Sequence, residues 1–80
     1  MTKDIKVLGS GCKKCQMTAE MVQTEANKLG VPIFLEKVTD YAAMAAYGIA
    51  STPAVVVDGK VVHAGGLPRA EDVDAWLAEA

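Results

Sequence analysis

The sequence has no run of about 18 apolar residues, and so no segment suited to crossing a bilayer as a helix. Its eight basic side chains against ten acidic ones leave a net charge of -2, with no dense basic stripe on which phosphates would settle. Neither a membrane nor nucleic acid is an expected partner. The opening Met1-Thr2-Lys3-Asp4-Ile5-Lys6 has no long apolar stretch behind its first lysine, so an unexported, cytoplasmic protein is expected. Cysteine is scarce as well. With two cysteines and one distant histidine, a single chain lacks the four ligands of a closed structural zinc site, and only a metal-bridged dimer would supply them. A bridge between residues 12 and 15 would close too short a loop to remove much unfolded-state entropy, so stapling is the weakest reading of the pair.

What is present is a compact allotment. Eighty residues, 51% of them hydrophobic, supply one core and not two, so one domain over 1–80 is expected. Ile5 and Val7 alternate with Lys6 as in a strand, which Gly9-Ser10-Gly11 breaks. From Lys13 to Leu29 the period becomes helical. Cys15, Ala19, Val22, Ala26 and Leu29 form an apolar stripe opposite Gln16, Glu20, Gln23 and Asn27, and Gly30 is a natural stop.

Val31 to Val38 reads as a second strand, dense enough in Ile33, Phe34, Leu35 and Val38 to be covered on both faces and parallel to the first. Asp40 suits the cap of a short helix from Tyr41 to Tyr47, ended by Gly48 in a left-handed conformation with Ile49 packing back. The strongest local signal is Asp58-Gly59 between Ala54–Val57 and Lys60–Ala64, a two-residue hairpin turn. Pro68 then opens a last helix with Ala70, Val73, Trp76 and Leu77 toward the sheet and Glu71, Asp72, Asp74 and Glu79 in water. The resulting α/β order is βαβαββα, and connection rules favour a four-stranded mixed sheet ordered 2-1-3-4 with helices on both faces and the third strand antiparallel to the first.

A Cys-x-x-Cys between a strand's end and a helix's start puts the first sulfur where backbone N–H groups lack partners, at the positive end of the helix dipole. That favours a thiolate. Thiols so placed titrate at roughly 3.5–7.5. Lys13 and Lys14 occupy the first turn, where cations oppose the dipole; they suit a thiolate better than they suit the helix, unless they are merely solvated charges. Cys12 is thus the expected nucleophile on a partner disulfide, and Cys15, one turn inward, the resolving thiol. No cofactor is required.

Three marks together resemble the thioredoxin superfamily over nearly the whole chain: Gly11-Cys12-Lys13-Lys14-Cys15, Tyr47-Gly48-Ile49-Ala50-Ser51-Thr52-Pro53 before an apolar strand, and the glycines after the hairpin. The likeness is to the small glutaredoxin-like redox-active disulfide proteins. It implies a thiol-disulfide oxidoreductase acting on protein or small-molecule disulfides, as a monomer, with a thioredoxin-reductase-like enzyme or glutathione upstream. It places Gly11, Thr52 and Pro53 at the substrate, Pro53 being cis in the family's pattern and Thr52 offering its backbone as an added strand edge. Without the resemblance, Pro53 reads as a trans proline opening a strand.

The chain departs from the family where tryptophan precedes the first cysteine and Gly-Pro separates the two, since Gly11 and Lys13-Lys14 stand there. The family's buried carboxylate falls on Lys6. Glu36 falls near the facing lysine position, so Lys6 and Glu36 are expected to form a charge-swapped pair serving the second thiol; the alternative has Lys6 snorkelling and Glu36 in water. His63 reads as a rim histidine, Met17, Met21 and Met44 as core or rim filler, Trp76 as a core anchor, and Tyr41 and Tyr47 as flanks of the short helix, with Tyr47 packed near the proline loop. Other functions stay open: a copper or zinc chaperone of the heavy-metal-associated kind, which also begins strand, Cys-x-x-Cys, helix but runs βαββαβ, and a thioredoxin-like binding module with a vestigial pair.

Overall fold

The computed structural model describes residues 2–78. The elements run β1 Lys3–Leu8, α1 Lys13–Leu29, β2 Ile33–Val38, α2 Tyr41–Ala46, β3 Ala54–Val57, β4 Lys60–Ala64 and α3 Ala70–Ala78. They form one four-stranded sheet in the order β2-β1-β3-β4, with β1 and β2 parallel and the other pairs antiparallel. This is the expected mixed sheet. The α1 crossover joins the two parallel strands, which no tight turn can do.

Local chemistry fixes the joints. Gly30, at φ 69°, closes α1 with its N–H on Asn27 O, while Val31 N–H reaches back to Ala26 O at 2.9 Å. Asp40 Oδ1 accepts from Ala42 N–H at 3.1 Å and caps α2. At the hairpin, Asp58 and Gly59 take φ values of 49° and 84°, the paired positive angles of a primed turn. Asp58 Oδ1 also accepts from Asp4 N–H at 2.9 Å, which ties the hairpin to the start of β1. Opposite Val55 and Val56, β4 carries one extra residue as a bulge.

Two apolar clusters sit on opposite faces of the sheet. Ile5, Val55 and Val57 pack with Val22 and Ala26 of α1 and with Val73 and Leu77 of α3, whereas Leu8, Ala54 and Val56 pack with Met44 of α2. The second cover is short. It leaves the far half of that face to Asp4, Lys6, Phe34 and Glu36, so Phe34 stands 62% exposed. The expectation that β2 is covered on both faces therefore fails there, because β2 is an edge strand that α2 does not reach. Leu29 and Ala70 are also exposed, as each lies at a helix end beyond the sheet. The last helix starts at Ala70, two residues after Pro68, with Arg69 O accepting from Asp72 and Val73 N–H. The expectation for Glu79 lies outside the described residues.

Periodicity did not separate two polar side chains from the apolar stripe of α1. Thr18 is wholly buried and satisfied, its hydroxyl donating to Lys14 O at 2.8 Å. Glu25 is the harder case. It is buried beside Asp74, which the sequence pattern had placed in water but which is half-buried against it. Hydrogen bonding to Asp74 first, then burial and the repulsion between the two carboxylates, push the Glu25 carboxyl above its ordinary range, while Lys28 Nζ at 3.6 Å pulls the other way. A raised carboxyl favours the folded state while protonated, and that contribution is lost as pH rises through the folded-state value. Glu25→Gln, which mimics the protonated form, should therefore match wild type in thermal midpoint at low pH and exceed it increasingly toward pH 8. A difference between the two that does not change with pH would contradict this.

Candidate active site

The strand leads the chain into the site without slack. Gly9 N–H donates to Val38 O at 2.9 Å, extending the β1–β2 ladder past Leu8; Gly11, at φ 82°, then swings the chain into α1. Cys12 is the N-cap in extended conformation, exposed, with its sulfur accepting from Cys15 N–H at 3.3 Å and its carbonyl from Gln16 N–H at 3.0 Å. Gln16 Nε2 holds Gly11 O at 3.2 Å. One turn in, Cys15 is only 5% exposed and faces the sheet. Both thiols are free.

This arrangement separates two chemically identical groups. The Cys15 thiol and then its backbone N–H bond to the Cys12 sulfur and lower its titration; burial opposes them, and Lys14 N–H adds a lesser lowering. Cys15 moves the opposite way. Burial raises it first, and the hydrogen bond to Cys12 raises it further. No acidic side chain occupies the first turn of α1, where Lys13 and Lys14 lie exposed. The largest causes at Cys12 are hydrogen bonds, and what Lys14 contributes among them is its backbone N–H rather than its ammonium.

The proline loop adjoins the sulfurs. The Thr52-Pro53 peptide bond is cis, Pro53 is buried, and Gly65 N–H donates to Pro53 O at 2.9 Å. Thr52 is exposed beside it. A Cβ built on Gly9 would stand 2.2 Å from Cys15 Sγ and 3.7 Å from Thr52 Cβ, so strand end, second cysteine and proline loop border one corner. Since the Pro53 ring is inside, Gly11, Cys12 and Thr52 form the accessible rim. A groove of about 280 Å³ runs on from Thr52 along Ile49, Met44 and Tyr41.

Lys6 and Glu36 are register partners, and Lys6 Nζ lies 3.9 Å from Glu36 Oε1, but Asp4 Oδ2 is nearer at 3.0 Å and is the main cause that raises Lys6. Neither Lys6 nor Glu36 figures among the largest influences on Cys15. Asp4 was overlooked in the sequence, although its place two residues before Lys6 on one strand was the signal. His63 bonds Gly66 O at 2.9 Å and packs on Trp76 at 5.8 Å, whereas Met44 is core and Met17 is exposed. Tyr47 packs against the α2-side cluster and Tyr41 is exposed. Among the described residues, no three His, Cys, Asp or Glu side chains gather as metal ligands, and no helix is long and apolar enough to cross a membrane. The element order is not that of the heavy-metal-associated fold.

Comparison with known proteins agrees with this geometry. The family described as Thioredoxin domain matches residues 3–78. A protein named thioredoxin from Methanocaldococcus jannaschii is 35% identical over 73 residues, covering 91% of this chain and 84% of its own. One from Methanothermobacter thermautotrophicus is 26% identical over 74 residues, covering 92% and 96%. In fold, the chain is similar to a solved mutant thioredoxin from Halobacterium salinarum, with a TM-score of 0.67, 22% identity, and coverage of 94% of this chain and 71% of that one.

The opposed acidities have a direct readout. Since the thiolate is the reactive form, the rate of Cys12 alkylation should rise with pH and level off below the ordinary thiol value of about 8.5. In Cys15→Ala, which removes the largest cause of the lowering, the midpoint should move up. A midpoint indifferent to that change would show that the neighbouring thiol does not govern Cys12.

Proposed function

This chain belongs to the thioredoxin domain family and is a thiol-disulfide oxidoreductase, and on that premise we propose that it reduces disulfides by dithiol exchange with Cys12 as nucleophile and Cys15 as resolving thiol. The Cys12 thiolate attacks one sulfur of a partner disulfide; that S–S bond breaks, and the other partner sulfur leaves as a thiolate that takes up a proton. A mixed disulfide on Cys12 results. Cys15 then loses its proton and attacks the Cys12 sulfur, the partner's second sulfur departs, and the chain is left with a Cys12–Cys15 disulfide. The partner has gained two electrons and two protons.

The observation that carries this reading is the shared corner, where the exposed Cys12, the buried Cys15 and the exposed Thr52 meet next to Gly9. In the proposal, a partner polypeptide lies along Thr52 as an added strand, with Pro53 shaping the loop from inside and Gly11 leaving the approach to Cys12 open. Lys13 and Lys14 add positive charge beside the leaving and attacking sulfurs. Electrons return from a thioredoxin-reductase-like enzyme or from glutathione, in the cytoplasm, to a protein acting as a monomer over a single domain of residues 1–80. No cofactor or metal enters the cycle.

Turnover of a model protein disulfide with dithiothreitol as the reductant tests the assignment. Cys12→Ser should fall to the uncatalysed rate. Cys15→Ser, reduced beforehand and mixed with the disulfide after dithiothreitol is removed, should stop after one event with the partner covalently attached, and adding dithiothreitol should release it. If Cys12→Ser turned over and Cys15→Ser did not, the roles would be reversed.

A further inference from the structure

Gly9 differs from the other glycines. Of the seven in the sequence, six have φ between 69° and 87°, where the backbone itself favours glycine. Gly9 is not among them, so its backbone would accept any residue. What it lacks room for is a side chain. A Cβ there would stand 2.2 Å from Cys15 Sγ, a distance that real Cβ atoms do not keep, and 3.1 Å from Cys15 Cβ, which is tight.

Neither neighbour can withdraw freely. Gly9 is buried and pinned to β2 by its N–H bond to Val38 O at 2.9 Å, and the first turn of α1 is pinned to Cys12 through the N–H groups of Cys15 and Gln16. Only rotation of the Cys15 side chain relieves the contact. We propose that Gly9 is a positioning residue of the dithiol: having no Cβ, it leaves the space in which the Cys15 sulfur stands, and so sets where the second thiol meets the Cys12 sulfur. This rests on the dithiol reading and adds to it the determinant of the closing step.

In that step the Cys15 thiolate attacks Cys12 Sγ in line with the bond to the partner, the new S–S bond forms, and the partner sulfur leaves with the electron pair. A sulfur turned away by a methyl group at residue 9 must first return against that methyl. The hydrogen bond between the thiols, which lowers Cys12, would weaken at the same time.

Reaction with an aromatic disulfide that releases a coloured thiolate separates the two steps: attack by Cys12 releases the first equivalent and closure by Cys15 the second. In Gly9→Ala the ratio of second to first rate constant should fall roughly tenfold, the rate equivalent of an off-rotamer side chain. The pH midpoint of the first step should rise. An unchanged ratio and midpoint in Gly9→Ala would overturn the inference while leaving the dithiol reading intact, whereas release of one equivalent by Cys12→Ser at the wild-type rate of the first step would overturn the dithiol reading itself. Should Gly9→Ala be too unstable to assay, thermal midpoints decide. Cys15→Ala removes the sulfur that the methyl meets, so Gly9→Ala should cost the Cys15→Ala background much less than it costs wild type. Equal losses in both backgrounds would place the damage elsewhere and sink the inference.

Discussion

The bond from Cys15 N–H to the Cys12 sulfur, at 3.3 Å, is the interaction around which the molecule is arranged. It performs the two tasks that an N-cap and a nucleophile share, closing an orphan donor of the helix and placing a positive dipole against a sulfur. An oxygen at that position would cap the helix better, as serine or aspartate does. Sulfur gives up capping strength and gains an anion that reacts with disulfides. Because the donor belongs to the second cysteine, the geometry that makes Cys12 acidic also holds the partner thiol within reach and, through burial, protonated.

The sheet explains why the proline loop stands at the same place. β1 runs in the middle, and its last residue Leu8 pairs with Ala54, the first of the antiparallel β3. Register alone then sets residues 52 and 53 beside residue 9. The hairpin secures that loop from behind, since Gly65 N–H binds Pro53 O, and β3, buried at every position, leaves it no freedom to slide. Thr52 is exposed over a buried Pro53, so the loop's outer side is accessible while the apolar ring is not. Catalytic geometry here is a consequence of strand pairing.

Much of this could be read from residue order, for reasons that differ by element. Asp58-Gly59 marked the hairpin because few residue pairs adopt two positive φ angles, and the spacing from Cys15 to Ala26 marked the buried face of α1 because a helix repeats. Cys-x-x-Cys at the strand–helix junction located the site, since capping needs are local. The rest depended on what comes together from afar. Asp74 looked like one more surface acid until α3 set it against Glu25; Phe34 looked covered because periodicity does not say where a sheet ends. Gly9 read as a strand breaker, yet the ladder continues through it, and its purpose appears only once Cys15 occupies the space where a side chain would be. Lys6 and Glu36 do align, but the nearer Asp4 takes the ammonium.

The central claim is that one helix start makes two thiols unequal, and it is tested most directly by following the ¹³Cβ resonances of both cysteines in the reduced protein from pH 5 to 11. Two steps are expected, the first dominated by Cys12 and below the free-thiol value of about 8.5, the second dominated by Cys15 and above it. Two cysteines titrating together near the free value, or Cys15 ionising first, would contradict the account.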